Sequence, residues 1–166
     1  CRIASIDYSP RDQLLSIISS YVSAAFMKRL PSHPIFQEQN ACTKIATAIL
    51  DIFDKTKAAF SVDEHRHYLF TPRDVSSWVI GTLRYDIQSL PLWSVIAYEG
   101  FRVFRDRLVS SESKQRFDTI LWGVLRSQFK AQQESGTFYT TIGFPSESNS
   151  FAAAGKAFNA VTSEDF

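Results

Sequence analysis

The chain has 166 residues, of which 45% are hydrophobic and 14% aromatic, enough to bury the core of about one domain. Its 18 basic and 17 acidic residues leave a net charge of +1, so there is neither the basic excess of a nucleic-acid binder nor a polybasic run suited to a membrane surface. The apolar runs are too short to cross a bilayer. Cys1 and Cys42 make neither a disulfide framework nor a CxxC zinc pair, which leads us to expect a reducing, cytosolic compartment.

Residues 1–7 (CRIASID) alternate polar and apolar and predict a short strand, whose partners must come from elsewhere. With no initiating Met, the chain is expected to be cut from a longer protein. Ser9-Pro10-Arg11-Asp12 reads as a helix start, and Leu14, Leu15, Ile18, Val22 and Phe26 give a helical stripe to about Arg29. Pro31 and Pro34 break it. A second helix is predicted from about Gln39 to Phe60 on Ala46, Ile49, Leu50 and Phe53.

The third start is the most specific. In Thr71-Pro72-Arg73-Asp74, Thr71 can cap, Pro72 fits the first helical position, and Asp74 completes a capping box. Val75, Trp78, Val79, Thr82 and Leu83 then recur on one face. Arg73 is the misfit: it places a cation at the positive end of the helix dipole. It either pairs with Asp74 or Glu64, stays solvated, or faces an external anion.

Leu90-Pro91 opens a fourth helix, expected to run to Ser110 with Trp93, Ile96, Ala97, Phe101, Phe104 and Leu108 inward. Glu99, Arg102 and Asp106 are expected to form a solvated or interface ion-pair face, worth a few tenths of a kcal/mol per pair. Phe117, Ile120, Leu121, Val124 and Leu125 mark a fifth helix. After about Ala131 the helical period ends: 137–144 predicts an extended or β segment, 146–157 a loop, and 161–165 a new helix start. Five amphipathic helices with short connections make a compact, mainly α bundle.

The sequence gives little support for a free-standing enzyme. It holds no G-x-x-x-x-G-K-[ST] loop to cradle phosphate, no apolar strand leading into Asp-Glu to hold magnesium, and no serine nucleophile elbow. His65 and His67 flank Arg66 but lack the further ligands a metal needs, and read as loop histidines. No catalytic or metal-binding residue is therefore assigned.

The run HYLFTPRDVSSWVIG resembles the signature in the helical lid of dynein heavy-chain AAA+ modules, an HY pair followed by [SNT]-PR-[ED]-x-[ST]-x-WV-x-G. AYEGFRVFRDRLVS at 97–110 is similar to the A-x-E-x-x-R-x-F-x-DRLV pattern that follows it there, at matching spacing. The pairing is most like the third module, and TPRD and LRYD lean towards the cytoplasmic type 2, intraflagellar-transport branch. The resemblance implies residues 1–8 as the last strand of the large α/β subdomain, 9–131 as a five-helix lid, and 132–166 as a linker towards the next module.

It also implies a function. Such a lid responds to the ATP or ADP, with magnesium, held by the large subdomain, and passes that state to the next module of a microtubule motor. Arg73 then matches sensor II, the lid arginine that reaches towards the γ-phosphate, a role suited to a fixed fork of donors. Leu14 would pack near the adenine. The implied partners are neighbouring AAA+ subdomains, other dynein subunits and microtubules, in the cytoplasm, cytoskeleton or cilium. The bundle pattern by itself also suits a free-standing helical adaptor gripping another protein in an apolar groove.

Overall fold

A computed structural model describes residues 9–27, 40–85, 92–130, 138–140 and 159–161. Five α-helices form the architecture: α1 (Arg11–Val22), α2 (Ala41–Ala59), α3 (Pro72–Thr82), α4 (Leu92–Val103) and α5 (Ser111–Phe129). α1 continues into a π-helical turn at Ser23–Met27. α1 packs on α2 and α3, α2 on α5, and α3 on α4, so one apolar core serves all five. Among the described residues no helix is long and apolar enough to cross a membrane. The expected strand at 1–7 lies outside the described residues.

The two Pro-Arg-Asp starts fold differently. At α3 the capping box forms, and at α1 it does not. Pro10 itself occupies the N-cap position of α1 in an extended conformation (ψ 158°), and the first turn has no side-chain cap; Leu14 N–H bonds the Pro10 carbonyl. The helix is held instead from its flank, by Arg11 pairing with Asp51 and Asp54 of α2.

The fourth helix is shorter than its apolar spacing predicts. It stops at Val103, and Arg105–Arg107 form a single 3₁₀ turn before the chain extends at Leu108. Phe104 and Leu108 are still buried, because a tighter turn carries the same residues back onto the core. Ser110, expected to end that helix, caps α5 by accepting from Ser113 N–H at 3.0 Å. Trp93 and Phe101 are half-buried rather than fully inward; Trp93 stacks on Phe129 with ring centroids 4.1 Å apart.

Beyond α5, β1 (Phe138–Thr140) pairs antiparallel with β2 (Asn159–Val161), Tyr139 opposite Ala160. Val161, expected at the start of a new helix, ends β2. The rest of 132–166 lies outside the described residues.

Candidate functional site

The two sequence blocks, which carry α3 and the end of α4, are joined by specific contacts. Trp78, fully buried on α3, donates its indole N–H to the Ile96 carbonyl of α4 at 2.9 Å. Its ring meets Phe104 edge-on, and α4 approaches it closely because position 100 is glycine: a Cβ there would lie 3.0 Å from the Trp78 Cζ2. At the other end of the interface, Val109 N–H donates to the buried Tyr68 hydroxyl at 3.1 Å.

The same α3–α4 region holds two ionic clusters. In the first, Glu99 is 0% exposed. Its carboxylate accepts from Arg102 Nε (3.0 and 3.1 Å) and Nη2 (2.9 Å), and from the Tyr85 hydroxyl at 2.6 Å. This corrects the expected solvated face. Glu99 falls on the stripe of Leu92, Val95 and Ile96, so its spacing with Arg102 looks like a surface pair while its helical phase is that of the core. Asp106 makes no ion pair with Arg102, although its charge adds to raising that guanidinium. Burial, the hydrogen bond to Glu99 and its charge push the Tyr85 phenol well above its ordinary value. The hydrogen bond to Glu99 likewise raises Arg102, against the opposing effect of burial.

The second cluster organises the start of α3. Thr71 donates its backbone N–H (2.8 Å) and its hydroxyl (3.0 Å) to Asp74 Oδ2. Asp74 Oδ1 is taken by Arg107, from the 3₁₀ turn after α4. Of the alternatives open to Arg73, the pair with Asp74 does not form: Asp74 is taken by Arg107, 33 residues on. Arg73, second residue of α3, is exposed and makes no ion pair among the described residues.

Leu14 lies in α1, half-buried against the core. Of the two residues singled out by the resemblance, Arg73 is thus exposed at a helix start and Leu14 is partly exposed.

His65 and His67 are exposed and cluster on the Tyr68 ring, with centroids 4.8 and 4.9 Å away. A carbonyl can only accept, so His67 donates from Nε2 to the Arg107 oxygen at 3.1 Å. Among the described residues no group of three or more His, Cys, Asp or Glu could hold a metal ion. Burial pushes the Cys42 thiol up and so disfavours the nucleophilic thiolate, and the hydrogen bond to Ser23 only partly opposes this.

The described residues thus form a mainly α bundle with an exposed arginine at a capped helix start. Residues 21–114 match the family model described as the dynein heavy chain ATPase lid domain, and the chain belongs to that family. It is 36% identical to cytoplasmic dynein 2 heavy chain 1 of Tripneustes gratilla over 99% of its own length, and 33% identical to the Homo sapiens protein of that name over 93%. It is 30% identical to the cytoplasmic dynein heavy chain of Eremothecium gossypii over 78%. The chain spans about 4% of the first two relatives and 3% of the third.

Proposed function

We propose that this chain is the nucleotide-responsive lid of the third AAA+ module in a motor of the dynein 2 type, acting with the ATP or ADP and magnesium held by that module's large subdomain. In this reading residues 1–8 contribute the last strand of that subdomain, and 132–166 lead towards the next module. Neighbouring AAA+ subdomains of the same polypeptide are the direct partners; microtubules and other dynein subunits are partners of the whole motor. The cytoplasm, cytoskeleton or cilium is the corresponding location. With the family established, a free-standing adaptor has no specific observation in its favour.

The observation that carries the reading is the state of Arg73. It stands in the first turn of α3, exposed, while the neighbouring Asp74 is engaged by Thr71 and Arg107. A permanently charged fork of donors, not consumed within the bundle, suits a phosphate brought by the other subdomain. Leu14 packs near the adenine. Lid movement about the large subdomain then transmits nucleotide state to the next module as a rigid-body shift.

The test is Arg73→Ala in the full heavy chain, with affinities for a non-hydrolysable ATP analogue and for ADP measured at the parent module. The analogue should weaken by roughly 1.5–3 kcal/mol, the worth of a charge-assisted hydrogen bond, with ADP little changed. Equal affinities in mutant and wild type would remove Arg73 from the nucleotide site.

A further inference from the structure

We propose that Arg107 is a positioning residue for Arg73, fixing the first turn of α3 so that the exposed guanidinium is presented in one orientation; this rests on the sensor reading of Arg73. A capping box alone ties Asp74 only to its own turn. The structure adds a tie from outside. Arg107 pairs with Asp74 Oδ1, leaving Oδ2 for the Thr71 N–H and hydroxyl, so both carboxylate oxygens are engaged at once.

The same arginine is itself held on several sides. Its Nη1 lies 3.4 Å from the Leu69 carbonyl, its guanidinium stands over the Phe70 ring at 5.8 Å, and its own carbonyl accepts from His67. Asp74 is 13% exposed and Arg107 37%, so the pair is partly shielded from solvent. Residues 69–74 are therefore bound to the turn after α4 through the Arg107 side chain, and His67 through the Arg107 carbonyl. Free movement of that segment would spread Arg73 over many orientations and dilute its contact with a phosphate.

The physical need is plain from the position of Arg73. Exposed long side chains carry large rotamer entropy, and an exposed arginine with no ion-pair partner among the described residues depends on its backbone for aim. Arg107 cannot touch the phosphate in its present pairing, since Asp74 takes it. Its effect must pass through Asp74 and the helix start.

The test uses the full heavy chain with a donor–acceptor pair spanning the lid and the large subdomain of the parent module. Half-closure concentrations are read for a non-hydrolysable ATP analogue and for ADP, and their ratio gives the nucleotide preference. Arg107→Gln should lower that preference roughly tenfold with the ADP response little changed. Arg107→Lys, which keeps a charge opposite Asp74, should recover part of it. In an Arg73→Ala background, Arg107→Gln should produce no further loss, because the two act in series.

Arg102→Gln is the control for general loosening, since it breaks a pair in the same α3–α4 region without touching Asp74; it should leave the preference unchanged. Normal preference in Arg107→Gln, when Arg73→Ala has lost it, overturns the positioning role and leaves the sensor reading standing. Normal preference in Arg73→Ala overturns both. Should Arg107→Gln fail to accumulate, Asp74→Asn removes the same ion pair while retaining a cap acceptor. It is expected to lower the preference, and an unchanged ratio there overturns the proposal equally.

Discussion

Gly81 of α3 exists as glycine because Glu99 of α4 fills the space where its side chain would be. A Cβ on Gly81 would lie 2.1 Å from Glu99 Oε2 and 2.8 Å from Cδ. The carboxylate is the end of a flexible side chain, but here it is gripped by the Arg102 fork and the Tyr85 hydroxyl and has no inexpensive way to move. The glycine of the first sequence block and the glutamate of the second are thus one structural unit.

Gly81→Ala should lower stability by about 1–2 kcal/mol in urea denaturation. The helix gains about 1 kcal/mol from replacing glycine, and overpacking against a fixed carboxylate outweighs it. Gly123, exposed in the middle of α5 with nothing within 4 Å of an added Cβ, supplies the contrast. Gly123→Ala should stabilise by about 0.5–1 kcal/mol. Equal responses at the two sites would mean Glu99 does not occupy the place described.

Arg102→Gln should cost about 2–3 kcal/mol by the same measurement. It leaves Glu99 buried with only the Tyr85 hydroxyl for direct support, and removing one partner of a buried pair is expensive. The figure sits below that of a fully enclosed pair because the Arg102 side chain is 44% exposed and water can partly replace it. Arg102→Lys should fall between, since a point charge cannot reproduce the fork. A loss under about 0.5 kcal/mol would return the pair to the ordinary surface class.

Alkaline pH should weaken the fold through Tyr85. Its pKa is raised in the folded chain from an ordinary value of 10.0, first by burial and then by Glu99. Its stabilising contribution is complete below pH 10.0 and is lost progressively as pH rises above it, because the unfolded chain ionises first. Melting temperatures across this range should fall less steeply in Tyr85→Phe than in wild type. Parallel curves would show that the phenol is not the group responsible.

Trp78→Ala should destabilise by about 3–5 kcal/mol, as for other buried large aromatics, since it empties the contact with Phe104 and leaves the Ile96 carbonyl without its indole donor. A loss below about 1 kcal/mol in urea would place the indole outside the core.

Local chemistry was readable from the chain, and long-range pairing was not. Thr71, Pro72 and Asp74 announce α3 because a capping box lies within four consecutive residues, and Val75, Trp78 and Val79 announce its buried face through their spacing. Pro10 defeats the same reasoning at α1, where the tetrapeptide is nearly the same but the cap does not form. The stop at Val103 is hidden because Phe104 and Leu108 reach the core through a 3₁₀ turn as readily as through a helix. Arg107 could not be matched to Asp74 from sequence, since nothing local relates residues 33 positions apart. Glu99 left one unused signal, an acidic residue in phase with Leu92, Val95 and Ile96.

The central claim, that Arg73 of this lid senses nucleotide state, is tested most directly by lid position. In the full heavy chain, the distance between a label on α5 and one on the large subdomain of the same module would be measured with ADP and with a non-hydrolysable ATP analogue. The wild-type distance should differ between the two nucleotides, and Arg73→Ala should keep the ADP value in both. A mutant that closes on the analogue as fully as wild type, at the same concentration, would contradict the account and leave Arg73 a surface residue of the bundle.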